Sequence, residues 1–135
     1  MRLAALTLAA LAVAGCGGKD SSSGSGSGSD SPTADLQISL SVRNSEQPSK
    51  LWTLRCPAGG TLPDAAEACS KLAKIDDPFA PVPKGTACTQ IYGGPELADV
   101  SGTYDGKPVN AQFSRGDGCE IERWKRVEFL FPGLA

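Results

Sequence analysis

The chain has no histidine in its 135 residues. Histidine is the commonest general base of enzymes and the commonest metal ligand, and it activates the nucleophile of many hydrolases. Its absence argues against most enzyme mechanisms. The enzyme alternative that remains is acid–base chemistry by paired carboxylates, at Asp76 and Asp77 or at Glu120 and Glu122. Acidic residues this close in sequence are more typical of a solvated surface, so we predict that the chain is not an enzyme.

The chain also lacks an excess of positive charge. It has 13 Lys and Arg against 15 Asp and Glu, a formal net charge of −2. A protein that binds nucleic acid needs a basic face to neutralise phosphates. We therefore predict no nucleic-acid partner, and we predict no cofactor.

Long apolar runs are scarce as well. The run at residues 3–14 follows a single basic residue, Arg2, and is shorter than the ~20 residues that span a bilayer. Residues 1–15 are therefore predicted to be a signal peptide. The run ends in Val13-Ala14-Gly15-Cys16, which resembles a bacterial lipobox. We expect Cys16 to be lipidated and to anchor an extracellular protein to the outer face of the cytoplasmic membrane, the lipid being its only membrane contact. The alternative is ordinary cleavage near Ala14, which leaves Cys16 as a free thiol.

The segment after Cys16 is rich in serine and glycine and has almost nothing to bury. Such a composition is typical of a flexible linker. The predicted organisation is a signal peptide at 1–15, a lipidated cysteine and linker at 16–34, and one folded domain at 35–135.

Four further cysteines lie in the predicted domain, at Cys56, Cys69, Cys88 and Cys119. An even number in a small exported domain predicts two disulfides, and four cysteines allow three pairings. Zinc is the alternative, but none of the spacings is C-x-x-C, so we predict no metal site.

The hydrophobic pattern predicts an α+β domain, with about five mainly antiparallel strands, one main helix and a second short helix. The main helix is expected to begin near Asp64 and to bury an apolar stripe that extends to Ala73 and Ile75. Asp105-Gly106 predicts a tight hairpin turn. The predicted strands are 36–42, 51–56, 97–104, 107–113 and 127–131, and the short helix is 120–126.

A short extended segment around Cys88 separates two turn-forming stretches. Lys84-Gly85 precedes it and Gly93-Gly94-Pro95 follows it. Glycine and proline favour chain reversals, so the segment is predicted to project from the surface. If Cys88 is disulfide-bonded, the next side chains are held outward from a fixed point. The alternative is a plain connecting loop that contains a structural cysteine.

Five stretches follow one another along the chain: a strand, a cysteine, a Gly-Gly turn and an Ala-rich helix at 51–72, the segment at 88–92, a hairpin at 102–109, a Phe-Ser-to-Cys stretch at 113–119 and an apolar ending at 127–131. In this order they resemble parts of the Streptomyces subtilisin inhibitor-like family, in which the segment at 88–92 resembles the reactive segment. The resemblance implies the bridges Cys56–Cys69 and Cys88–Cys119. It also implies inhibition of extracellular serine endopeptidases, subtilisin-like or trypsin-like, and a homodimer as one further partner.

The resemblance implies a role for each residue of the segment. Cys88 is the anchored third residue before the cleaved bond, Thr89 the second, and Gln90 the specificity residue that enters the protease pocket. Ile91 follows the reactive bond Gln90–Ile91, and Tyr92 comes next on the leaving side. The alternative function is a non-inhibitory protein-binding module of the same fold at the cell envelope.

Three features depart from the family pattern. Gln90 is long but neutral, one extra residue precedes Pro95, and residues 115–118 form a longer turn without the family's loop-supporting Asn. Together they predict a less rigid segment.

Overall fold

Alternating apolar and polar residues build the sheet that carries the domain. A computed structural model describes residues 32–133, so the predicted signal peptide, Cys16 and most of the predicted linker lie outside the described residues. The elements are β1 (Ala34–Val42), β2 (Lys50–Cys56), β3 (Gly59–Gly60), α1 (Ala65–Leu72), β4 (Glu96–Tyr104), β5 (Lys107–Phe113), α2 (Gly118–Val127) and a 3₁₀ helix (Glu128–Leu130).

The five strands form one antiparallel sheet in the order β3-β2-β1-β4-β5. The predicted α+β class and antiparallel sheet are confirmed. β1 is central, and its Ile38 lies between Trp52 of β2 and Val100 of β4. Because side chains alternate along a strand, every second residue of β1 enters the core. Leu36 and Ile38 are fully buried.

The core fills the space between the sheet and the two helices. Phe113 of β5, Trp124 of α2 and Phe131 form an aromatic cluster with ring centroids 4.7–5.5 Å apart. All three are almost fully buried. Aromatic side chains contribute large apolar areas, so this cluster fixes α2 against the edge strand β5.

The predicted hairpin at Asp105-Gly106 is confirmed. Both residues have positive φ, 50° and 75°, as a two-residue turn of type I′ requires. Pro108 follows on β5, which is an edge strand, where a missing N–H is tolerated.

The predicted strand at 127–131 is wrong. α2 continues to Val127 and a 3₁₀ helix follows. Val127, Leu130 and Phe131 are buried while Glu128 is exposed. That spacing of i, i+3 and i+4 belongs to a helix, whereas a strand would bury alternate residues. The fifth strand is instead β3, whose two glycines pair with Leu54 and Arg55.

The main helix is shorter than predicted. α1 begins after Asp64, as expected, but ends at Leu72, so Ala73 and Ile75 lie beyond it. Its buried residues are Ala68, Cys69 and Leu72. Cys69 forms the predicted disulfide with Cys56, which ties α1 to the end of β2. Within residues 32–133, neither helix has the length and apolar character needed to cross a bilayer.

We predict that Leu54→Ala lowers the free energy of unfolding by about 2–5 kcal/mol, because it leaves a cavity at a fully buried position. Leu51→Ala on the same strand is the matched control. Leu51 is 73% exposed, so its truncation should cost no more than ~0.5 kcal/mol. Urea denaturation of both variants measures the difference, and equal losses would contradict the assigned register of β2.

Candidate functional site

The predicted segment forms an exposed loop at one end of the sheet. It runs from the proline-rich stretch to the start of β4 and has no regular secondary structure. Cys88 is partly buried, and the four residues after it are exposed, with Ile91 at 60% and Tyr92 at 67%. Ile91 and Tyr92 are adjacent in the chain, so the loop presents two large apolar side chains to solvent.

Two contacts fix the loop on the side before Gln90. The disulfide Cys88–Cys119 forms as the resemblance implied and joins the loop to the first turn of α2. The next residue is held through its backbone, because the Thr89 carbonyl accepts a hydrogen bond from the Gly118 N–H at 2.9 Å. The chain is therefore fixed up to the residue that precedes Gln90.

A third contact fixes the loop on the side after Tyr92. The Gly93 N–H donates to the Arg115 carbonyl at 2.7 Å. Residues 115–118 thus hold both ends of the loop through their backbone. Between these contacts, residues 90–92 make no hydrogen bond to any other residue of the described range. Residues 90–92 therefore lie between two fixed points of the chain, and their backbone N–H and C=O groups are free to bind a partner.

Glycines allow this close approach of loop and turn. A Cβ at Gly118 would overlap the Thr89 hydroxyl. A Cβ at Gly93 would lie 3.0 Å from Ile121 Cδ1 and 3.2 Å from Arg115 Cβ. Gly93 lies in the stretch with one extra residue before Pro95, and Gly118 ends the longer turn at 115–118. The lower rigidity predicted from these departures stays a prediction.

The supporting turn is itself fixed by the start of α2. Asp117 is the N-cap residue, and its side chain accepts a hydrogen bond from the Glu120 N–H at 2.9 Å. An N-cap of this kind contributes ~1 kcal/mol to helix stability and sets the direction in which the chain enters the helix. The turn before Gly118 therefore keeps a fixed position relative to α2, the helix that carries Cys119.

Arg123 is a supporting residue that sequence patterns did not reveal. Its guanidinium donates to the carbonyls of Ala80 and Gln112, each at 2.7 Å, and to Glu120 at 3.1 Å. It also lies 4.2 Å from the centre of the Phe113 ring. Arg123 is only 9% exposed, and these partners compensate the cost of burying its charge.

Arg126 adds a second link of the same kind. It lies one turn further along α2 and donates to the Asp76 carbonyl at 3.0 Å. Together the two arginines attach the proline-rich stretch that leads to Cys88. Their spacing of three residues is the only trace of this role in the sequence.

Two groups of described residues beside the loop bear on the metal and enzyme alternatives. Asp117 lies beside Cys88 and Cys119, but the two sulfurs are bonded to each other and offer no thiolate. Glu120 pairs with Arg123 and Glu122 with Lys125, so these two carboxylates do not face one another. The hydrogen bond from Lys71 lowers the pKa of Glu67, and burial raises the pKa of Tyr104.

Comparison with known proteins finds similarity over the sheet and the loop. The model of a family described as subtilisin inhibitor-like matches residues 32–115. Protease inhibitor SIL-V2 of Streptomyces orinoci is 32% identical over 84 residues, covering 58% of this chain and 76% of that protein. Subtilisin inhibitor-like protein 1 of Streptomyces cacaoi is 32% identical over 85 residues with the same coverage. The matched family range ends at Arg115, so α2 and Cys119 lie beyond it.

We predict that the amides of Gly93 and Gly118 exchange slowly with deuterium, whereas those of Ile91 and Tyr92 exchange fast, because only the first two donate to carbonyls. In Cys88→Ser/Cys119→Ser, protection of Gly93 and Gly118 should fall more than about tenfold. Cys56→Ser/Cys69→Ser is the control for general loss of a disulfide and should affect both amides less. Equal effects of the two disulfide deletions would contradict this local support.

Proposed function

Because the chain belongs to the subtilisin inhibitor-like family, we propose that it inhibits an extracellular serine endopeptidase, subtilisin-like or trypsin-like, through residues 88–92. One observation carries this proposal. Residues 90–92 are exposed and have no hydrogen-bond partner among residues 32–133, while the chain on both sides is fixed to one turn. The protein itself then has no catalytic role.

The loop suits binding as an added strand. Proteases of this class bind substrates in extended form, and an extended peptide contributes backbone hydrogen bonds along its length. The free N–H and C=O groups of residues 90–92 are available for such bonds. Since the flanking residues are already fixed, little conformational entropy is lost on binding. Gln90 enters the specificity pocket, with Ile91 and Tyr92 on the leaving side.

The same contacts explain how such a loop resists cleavage. When the protease serine attacks the Gln90 carbonyl carbon, an ester forms, the C–N bond to Ile91 breaks, and the serine proton passes to the new Ile91 amine. The Gln90 end stays attached through Thr89 and Cys88, and the Ile91 end stays attached through Gly93. The retained amine can attack the ester, return the proton to the serine and rebuild the peptide bond.

The side chain of Gln90 limits the proteases that fit. It is long, uncharged and able to both donate and accept hydrogen bonds. In an acidic pocket that selects Lys or Arg, the carboxylate of the pocket would stay unpaired against Gln90. In a deep apolar pocket, the Gln90 amide would lose its hydrogen bonds to water without replacement, which costs binding free energy. A moderately polar pocket of the subtilisin type fits Gln90 better.

We predict that the full chain, purified in mild detergent, inhibits subtilisin and that Gln90→Pro weakens this by roughly 100-fold or more, the size expected at the centre of an interface. Gln90→Lys should instead gain inhibition of trypsin, whose pocket then pairs the added charge. Gln37→Lys on the exposed face of β1 is the control and should change neither inhibition constant.

A well-folded chain with both disulfides that inhibits neither protease would refute inhibition of these two enzymes. Such a result would favour the alternative of a non-inhibitory binding module on the same fold.

We further propose that Cys16 anchors the protein to the outer face of the cytoplasmic membrane. The direction of β1 supports this. Ala34 pairs with Tyr104 and Val42 pairs with Glu96, so the chain enters the domain at one end of β4 while the loop lies at the other. The nine residues of β4 separate these ends by roughly 27 Å at ~3.4 Å per residue. A tether attached there leaves the loop facing away from its attachment point.

We predict that Cys16→Ala moves the protein from the membrane fraction into the medium and abolishes incorporation of labelled fatty acid, because a lipid chain is then no longer attached. Subtilisin inhibition by the Cys16→Ala variant in solution is the control and should be unchanged. Recovery of the unaltered protein in the medium, without lipid, would contradict the anchor.

The homodimer stays a proposal. The face of the sheet opposite the core is the surface that a second copy could cover, and it is mostly polar. Its polar residues are Asp35, Gln37, Ser39, Ser41, Thr53, Arg55, Asp99, Ser101, Thr103, Asn110 and Gln112, and its apolar residues are Leu51, Leu97 and Pro108. Such a composition is more polar than that of obligate interfaces, so a dimer through this face would be a weak one.

A further inference from the structure

The side chain of Arg115 covers the leaving side of the loop. A Cβ at Gly93 would lie 3.2 Å from Arg115 Cβ, and one at Gly94 would lie 3.1 Å from Arg115 Nη1. The stem of the arginine therefore runs along both glycines. Its guanidinium then reaches Glu96, the first residue of β4, with Nη1 3.1 Å from Oε2. One side chain thus spans the whole connection between the loop and the sheet.

This ion pair differs from an ordinary surface pair. The Arg115 and Glu96 side chains are 31% and 19% exposed, whereas those of Arg55 and Asp35 are 71% and 66% exposed and lie 3.7 Å apart. Partly desolvated, hydrogen-bonded charges interact more strongly than exposed ones, which contribute little. The Arg115–Glu96 pair therefore restricts the conformation of residues 93–96. A second contact on this stretch is the hydrogen bond that the Pro95 carbonyl accepts from the Arg43 N–H at 2.9 Å.

We infer that Arg115 is a positioning residue that holds the Ile91 end of the loop in place when the Gln90–Ile91 bond is cut. This inference rests on the proposed inhibitory function. In the ester formed with the protease, two nucleophiles compete for the Gln90 carbonyl carbon. The Ile91 amine rebuilds the peptide bond and returns a proton to the serine, whereas water releases a Gln90 carboxylate and the free serine. Holding residues 93–96 keeps the amine near the ester and favours the first reaction.

The equilibrium between cut and intact chain measures this role. Intact and cut protein are each incubated with catalytic subtilisin until both mixtures reach the same ratio, read by mass spectrometry. A general loss of stability lowers the free energy of unfolding of the cut and the intact protein alike, so the ratio of cut to intact protein stays the same. Loss of a contact that orders the cut ends changes that ratio. The variants are Arg115→Met and the charge-preserving Arg115→Lys, made in the full chain in mild detergent.

We expect Arg115→Met to shift the ratio toward the cut form by about tenfold, which corresponds to about 1.4 kcal/mol. Arg115→Lys should lie between this variant and the unaltered protein. The matched control is Arg55→Met, which removes an exposed ion pair from the outer face of β2 and should leave the ratio unchanged.

An unaltered ratio in Arg115→Met, or an equal shift in Arg55→Met, would overturn the role of Arg115 alone. Failure of subtilisin to bind the unaltered protein would be seen before any variant is tested, and it would overturn the proposed function and this inference together.

Discussion

The packing of α2 against the sheet is the constraint on which the loop depends. Trp124 and Val127 anchor the helix in the core, next to Phe113 and Phe131. Most contacts that hold the loop come from the same helix or from the turn before it, namely the disulfide, the backbone contacts of residues 115–118 and the side chains of Arg123 and Arg126. A core residue of α2 therefore influences the loop without touching it. Protein interiors are closely packed and resist deformation. A helix whose buried side is fixed in the core can therefore hold an exposed loop with only small displacements.

The loop combines fixed ends with an unpaired centre, and each part has a physical reason. Fixing the ends removes conformational freedom before binding, which lowers the entropy lost when a partner binds. Leaving the centre unpaired keeps its backbone groups free for that partner, since a group already bonded within the protein would first have to be released. The free groups cost little here because they are exposed to water.

Local patterns in the sequence predicted the sheet well. The alternation of 36–42 and the Asp105-Gly106 turn each depend on neighbouring residues, and both are confirmed. Residues 127–131 were misassigned because a short apolar run suits either a strand or a helix, and only the helix places Leu130 in the core. The disulfide pairing followed from the family resemblance, since the cysteine count alone allowed three pairings.

The support of the loop could not be predicted in the same way, because it depends on contacts distant in sequence. The Arg123 contact to Ala80 spans 43 residues, and Arg126 reaches Asp76 across 50. Most acceptors in these contacts are backbone carbonyls, which every residue carries, so no residue type marks them. The sequence shows the glycines at 93 and 118 as turn formers. Which residues approach each glycine closely depends on the tertiary structure.

Support through the backbone has a consequence for how the site can change. The carbonyls of Thr89 and Arg115 hold the loop whatever side chains stand at positions 90–92. Those three side chains point to solvent and make no hydrogen bonds to other described residues. Substitution there should therefore leave the stability of the fold almost unaltered, as at other exposed positions. In the proposed inhibitory role, the specificity residue at position 90 can therefore vary without a change in the structure that holds the loop. The neutral side chain of Gln90 therefore bears on which protease would bind, and it leaves the contacts that hold the loop unchanged.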